Sequence, residues 1–360
     1  MKLQQIISVL ETIAPPQLAE PWDKTGLQAG EPSQDVKNGV LCIDLTEAVV
    51  KQALAQKAKL IVAYHPPLFE PLKKLTPTSW KTRALLACVK NNIAIYSPHT
   101  ALDAAADGLN QWLAAGMGKG EVRPIKPVVS ATLGKLVVFV PPKNADKLRT
   151  ALTNAGGGKL GDYSRCTFNV QGQGTFQGNE KSNPTIGKAG QFEQVNEVRI
   201  EMIFPWPDRQ TMVDVVRQVH PYEEPAFDIY PLEPLIHPNE MAGQGRIVKL
   251  DQPVSLQTLS GRIKKLLGVK HLDVTAAAGR TGKIRTIGLC AGAGSSMMGD
   301  AGNIDAFFTG EMRYHDVLDA SQRGVNILLA GHIETEQPYL KVLRQCLAKA
   351  TGQGVKWKVV

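Results

Sequence analysis

Two histidines that end apolar runs in this 360-residue chain are each followed, four residues on, by a carboxylate: His99 by Asp103 and His332 by Glu336. A third, His65, ends an apolar run as the other two do. Neutral imidazoles combined with hard carboxylate oxygens suit Zn, Mn or Fe(II), and a donor set without cysteine leaves the metal exchangeable in principle. The chemistry offered is therefore that of a divalent-metal site.

Such residues need elements that bring them together. Residues 60–64, 92–97 and 326–331 are short apolar runs, and they lead into His65, His99 and His332. Alternating with helical segments, runs of this kind read as strands of a largely parallel sheet in an α/β fold, where ligands gather beyond the carboxyl ends of the strands. The three imidazoles are expected to meet there. Pro66-Pro67 turns the chain out of the sheet directly after His65, because proline supplies no N–H and restricts its predecessor. Helices are predicted over 3–13, from Thr46 to about Lys57 and from Ser79 to about Asn91. A further helix starts at Asp107, which puts Asp103 in the loop or first turn before it.

From about Leu133 the pattern changes. Strand 136–140, helix 144–155, strand-like alternation around 163–168, strand 197–204, helix 209–219 and strand 226–230 give the order β-α-β-β-α-β of a ferredoxin-like α+β domain. The strand–helix alternation then resumes and contains the third histidine. The domains predicted are thus a discontinuous α/β metal-binding domain, 1–129 with 238–360, and an insert, 130–237. Within the insert, His220-Pro221 reads better as a proline-fixed turn than as a ligand loop. In the resumed part, Gly292-Ala293-Gly294-Ser295-Ser296 is a glycine turn whose outward N–H groups could hold an anion, without the lysine and spacing of a P-loop. The strand 305–310 delivers Glu311, and His315 follows on the next helix. These two are the candidates for catalytic or substrate-facing roles.

Composition narrows the function classes. The net charge of +8, from 41 Lys plus Arg against 33 Asp plus Glu, is compatible with an anionic substrate. The basic residues are scattered and not interleaved with aromatics, which argues against a nucleic-acid partner. Five widely spaced cysteines without a Cys-x-x-Cys indicate neither a disulfide framework nor a cysteine zinc site. No run approaches the ~20 apolar residues of a membrane span, and the N-terminus lacks a signal-peptide core, so a cytoplasmic protein without a membrane partner is expected.

Taken together, Glu20-Pro21-Trp22-Asp23 with Gly26-Leu27, Tyr64-His65-Pro66, Ser97-Pro98-His99 with Asp103, Gly292 to Ser296, Thr309-Gly310-Glu311, and Gly331-His332 with Glu336 form a joint pattern. On these residues the chain resembles, over essentially its whole length, the NGG-interacting-factor-three-like family of dinuclear metal centre hexameric proteins, often named GTP cyclohydrolase I type 2 homologs. The resemblance implies metal ligation by His65, His99, Asp103, His332 and Glu336, with one or both carboxylates bridging two ions. It also implies a toroidal homohexamer. Tyr64 departs from the pattern, since many members carry a second histidine there. A phenolate could substitute, but with a pKa near ~10 it is a poor ligand unless the metal depresses that value. The function expected is a metal-dependent hydrolase acting on a small anionic, nucleotide-like or phosphorylated substrate. Its rival is a non-catalytic metal-binding regulator or metal carrier whose insert senses a ligand.

Overall fold

The computed structural model describes residues 1–128, 133–233, 241–279 and 282–360. The chain divides into two compact units, Met1–Val128 with Pro238–Val360, and Val129–His237.

The first unit contains two main sheets rather than one. The five-stranded sheet has the order Gly26–Ala29, Ala94–Ser97, Leu60–Ala63, Asn38–Cys42, Lys356–Val359. Its last four strands are mutually parallel, and Gly26–Ala29 runs antiparallel at one edge. The six-stranded sheet has the order Asp273–Thr275, Asn326–Leu329, Ala306–Glu311, Ile284–Ala293, Arg246–Val254, Gly120–Arg123. There the three strands ending at Leu329, Glu311 and Ala293 are parallel, and the others are antiparallel. Leu60–Ala63 and Ala94–Ser97 are buried at every position, as strands covered on both faces must be. One continuous core joins the two sheets, with Val62 and Tyr96 from the first and Leu289, Phe308 and Leu328 from the second.

Local chemistry sets the ends of the helices. Leu3–Ile13 buries Leu3, Ile6, Ile7 and Leu10, the face that its 3.6-residue spacing predicts. Thr46 and Ser79 cap Glu47–Ala55 and Trp80–Lys90 by accepting the N–H groups of Val49 and Thr82. Two expectations shift. Asp103 lies inside a short helix, His99–Ala104, and not in a loop. The next helix, Leu109–Met117, has Gly108 at its N-cap, where a Cβ would fall 1.9 Å from the Leu102 carbonyl oxygen. Glycine alone lets the two helices approach so closely.

The second unit is a four-stranded antiparallel sheet in the order Phe227–Pro231, Leu133–Val140, Phe192–Pro205, Phe168–Gln177. Helices Pro142–Asn154 and Arg209–Val219 pack on it through Leu148, Leu152, Met212 and Val216. In chain order this is a 4-1-3-2 sheet built by β-α-β-β-α-β, the ferredoxin-like arrangement. The second strand starts at Phe168, later than the alternation around 163–168 suggests. His220 fixes a turn: its Nε2 lies 2.8 Å from the Phe139 carbonyl oxygen, and its Nδ1 accepts the Tyr222 N–H at 3.1 Å. Among the described residues no helix is long and apolar enough to cross a membrane.

Candidate metal centre

His65 stands two residues beyond strand Leu60–Ala63, His99 two beyond Ala94–Ser97, and His332 three beyond Asn326–Leu329. The first two come from one sheet and the third from the other, so the carboxyl ends of parallel strands in both sheets face a common point. The His65 ring centroid is 5.4 Å from that of His99 and 5.6 Å from that of His332. The backbone bends to allow this. His99 sits at φ +31°, a region sparsely populated for any residue but glycine, and Gly331 before His332 is at φ +99°.

Each imidazole has its Nδ1 against a separate carboxylate. Asp44 lies 2.9 Å from His65 Nδ1, Asp23 2.7 Å from His99 Nδ1, and Glu311 3.0 Å from His332 Nδ1. A carboxylate at Nδ1 keeps the proton there and presents the Nε2 lone pair as the ligand, the outer-sphere arrangement common to metal-binding histidines. Glu336 lies between two of these nitrogens, with Oε1 3.2 Å from His332 Nε2 and Oε2 3.3 Å from His65 Nε2. Donor atoms of His65, His332 and Glu336 all fall within 4.8 Å of one another. His99 and Asp103 border this set without joining it at that distance.

The electrostatics are those of a cation site. The Glu336 side chain is only 4% exposed, and its Oε2 is buried with no well-aligned hydrogen bond. Burial works against its charge, but His332 and His65 more than compensate and hold the carboxyl below the usual range. Burial likewise disfavours a charged His65, yet Asp44 and Glu336 raise its pKa to about 10. For His332 the bond to Glu336 is the largest influence, and its pKa rises to about 9. A divalent ion fits such a set of donors, because it supplies the positive charge that Glu336 attracts and replaces protons on the imidazoles.

Tyr64 and Asp103 form a second buried pair, in which the phenol donates to Asp103 Oδ1. Burial, with the charges of Asp103 and Glu336, pushes the Tyr64 pKa well up, which favours the protonated phenol that donates to Asp103. Burial raises Asp103 to about 7, against the opposing effects of Tyr64 and His99. Glu311 is placed by its bond to His332. His315 is exposed on helix Tyr314–Gln322, its ring 5.3 Å from that of Tyr314, and does not belong to the cluster.

The glycine turn has a different task from the one its sequence suggests. Gly292 N–H donates to Thr335 Oγ1 and Gly294 N–H to Thr309 Oγ1, both at 2.9 Å, so these amides are not available to an anion. The following helix, Ser295–Met298, has only four residues. What the turn provides is space. Gly292 is at φ +61°, and a Cβ there would lie 2.6 Å from Glu336 Oε1 and 3.1 Å from His332 Nε2. Gly292→Ala is therefore expected to weaken divalent-metal binding by tenfold or more (about 1.4 kcal/mol per tenfold) with the fold retained. Competition against a chromophoric chelator measures this, and wild-type affinity would show that the methyl group is accommodated away from the site.

Asp44 and Asp23 did not emerge from sequence reading as outer-sphere carboxylates. Asp44 follows strand Asn38–Cys42 as His65 follows the adjacent strand, and this parallel placement was the available signal.

The family model described as Duf34/NIF3 (NGG1p interacting factor 3) matches residues 1–360. A protein of Halalkalibacterium halodurans named GTP cyclohydrolase 1 type 2 homolog is 35% identical over 331 residues, covering 91% of this chain and 88% of its own. Human NIF3-like protein 1 is 34% identical over 359 residues, covering 96% and 87%. Among solved structures, a Bacillus cereus protein related to NIF3 is 33% identical and superposes with a TM-score of 0.66 over 100% of this chain and 96% of its own. With the match running from the first residue to the last, and with relatives at this identity along nearly the full length, the chain belongs to the Duf34/NIF3 family.

Proposed function

We propose that the protein is a divalent-metal-dependent hydrolase acting on a small anionic substrate of nucleotide-like or phosphorylated type. The observation that carries this reading is the set of three neighbouring imidazoles, each fixed at Nδ1 by its own carboxylate, two of which face the buried Glu336. His65, His332 and Glu336 would hold one ion, and His99 with Asp103 would serve a second. When bound, the metal supplies Lewis-acid stabilisation of developing negative charge. The protein's own residues do the rest. Asp44, Asp23 and Glu311 hold the imidazoles in one tautomer, and Tyr64 keeps a hydrogen bond on Asp103 Oδ1. A groove of about 860 Å³ adjoins His332 through Glu311, and its lining carries both signs of charge, with Ser295, Ser296 and Arg313 beside the carboxylates of Glu311, Asp316 and Asp319.

A second reading, a metal-dependent regulator or carrier, has one observation in its favour. The ferredoxin-like unit contains a cavity of about 680 Å³ lined in part by Phe139, Val170, Phe176, Arg199 and Tyr222, suited to a small ligand. Protein purified without chelator, loaded in turn with Zn, Mn or Fe(II), is to be assayed against nucleotides, including GTP, and phosphoesters. Turnover that is lost in His65→Ala with the circular dichroism spectrum unchanged supports the hydrolase. No turnover on any member with any metal favours the regulator.

A further inference from the structure

Glu20-Pro21-Trp22-Asp23 forms a tight turn, closed by the Asp23 N–H on the Glu20 carbonyl oxygen at 2.9 Å. The turn is fastened to the start of helix His99–Ala104. Glu20 N–H donates to Thr100 Oγ1 at 3.0 Å, Asp23 Oδ2 accepts the Thr100 N–H at 3.1 Å and also the Thr100 hydroxyl, and Asp23 Oδ1 faces His99 Nδ1. Trp22 is therefore held on a rigid support. Its ring stands 6.1 Å from that of His99 and 6.0 Å from that of Phe69, near-perpendicular to both. Even so, Trp22 is 54% exposed and Phe69 40% exposed. Packing alone gives little reason to fix an indole in one orientation while leaving half of it in water, since much of its hydrophobic stabilisation is then forgone. An orientated, open aromatic surface beside a candidate metal centre is what a flat ring stacks on.

We infer that Trp22 and Phe69 seat a planar heteroaromatic ring of the substrate on the His99 side of the metal centre, which narrows the substrate class to ring-bearing anions. The placement of that ring next to the reacting group rests on the hydrolase reading; the ring-binding itself does not. The recognition is by stacking, so it tolerates different bases but not their absence.

The test uses the full-length, metal-loaded protein and calorimetric titration with guanosine, adenosine and cytidine 5′-monophosphates, with ribose 5-phosphate as the ringless control. At least one nucleotide is expected to bind more tightly than ribose 5-phosphate. Trp22→Ala is expected to weaken that nucleotide about tenfold, Trp22→Phe to retain most of the affinity, and both to keep wild-type metal content and ribose 5-phosphate affinity. The inference is overturned if no nucleotide exceeds ribose 5-phosphate, if Trp22→Ala binds nucleotide as wild type does, or if it weakens both ligands equally. It is also overturned if iodide quenches the tryptophan emission of wild type and Trp22→Ala identically, since Trp22 would then be covered by another chain. Ring-selective binding without turnover on any substrate would sink the hydrolase reading and leave this one standing.

Discussion

Glu336→Gln is expected to reduce divalent-metal affinity by about a hundredfold or more while the chain still folds. Glu336 is the anionic member of the one close donor set found among the described residues, and its two oxygens face Nε2 of His332 and of His65. A glutamine keeps the size but offers one neutral oxygen, and its amide NH₂ directs hydrogens toward the nitrogens or the ion. Outer-sphere partners of metal-bound histidines alone are worth roughly 10–100-fold in affinity, so a direct ligand stands at or above the upper end of that range. Calorimetric titration with Zn and Mn measures the change, and thermal unfolding in chelator provides the folding control. Wild-type affinity in Glu336→Gln would mean that the ion is held elsewhere, away from His65, His332 and Glu336.

The parts of the fold legible in the sequence are those written in local pattern. Leu3–Ile13 has the bounds that its apolar spacing gives, and Arg209–Val219 likewise. The strand runs before His65, His99 and His332 are short and apolar because both faces are covered, and the order of elements in the insert was sufficient for its ferredoxin-like topology. What could not be read is what depends on pairing between distant segments. Nothing in residues 326–331 states that their strand lies in a different sheet from residues 60–64, since both are parallel apolar strands. The partners of the imidazoles are 21 residues away for Asp44 and His65 and 76 for Asp23 and His99, so no spacing rule connects them. At Gly292 the sequence shows a glycine turn, and only the approach of Glu336 and His332 explains why a side chain is excluded there.

The same limit applies to Arg246, an unremarked residue in the sequence whose replacement by methionine is expected to lower stability by about 4 kcal/mol. Its side chain has no solvent exposure. Nη1 donates to the carbonyl oxygens of Gly243 at 2.6 Å and Gly245 at 2.7 Å, Nη2 to that of Ala105 at 2.9 Å, and Nε to Gln111 Oε1 at 3.0 Å. Burial pulls the guanidinium pKa down to about 10, and the charges of Asp103 and Asp107 oppose that. Methionine fills most of the volume but takes the guanidinium donors from the buried Gly243 and Gly245 carbonyls, at roughly 1–3 kcal/mol each and less than additive in sum, whereas the Ala105 carbonyl keeps the Gly108 N–H at 3.0 Å and Gln111 is half-buried. For a unit of this size the loss corresponds to a fall of about 10 °C in Tm. Ala105 follows the helix that carries His99 and Asp103, so the variant also releases the far end of that helix. Arg246→Lys separates charge from geometry: it retains the cation but has one nitrogen where the fork had three, and it is expected to recover less than half of the loss. Denaturant unfolding of the chelator-treated proteins gives both values. If Arg246→Met unfolds within about 1 kcal/mol of wild type, water has replaced the fork and the buried guanidinium is not what holds these loops. If Arg246→Lys matches wild type, charge beside Asp103 is what matters, and the directed hydrogen bonds contribute little.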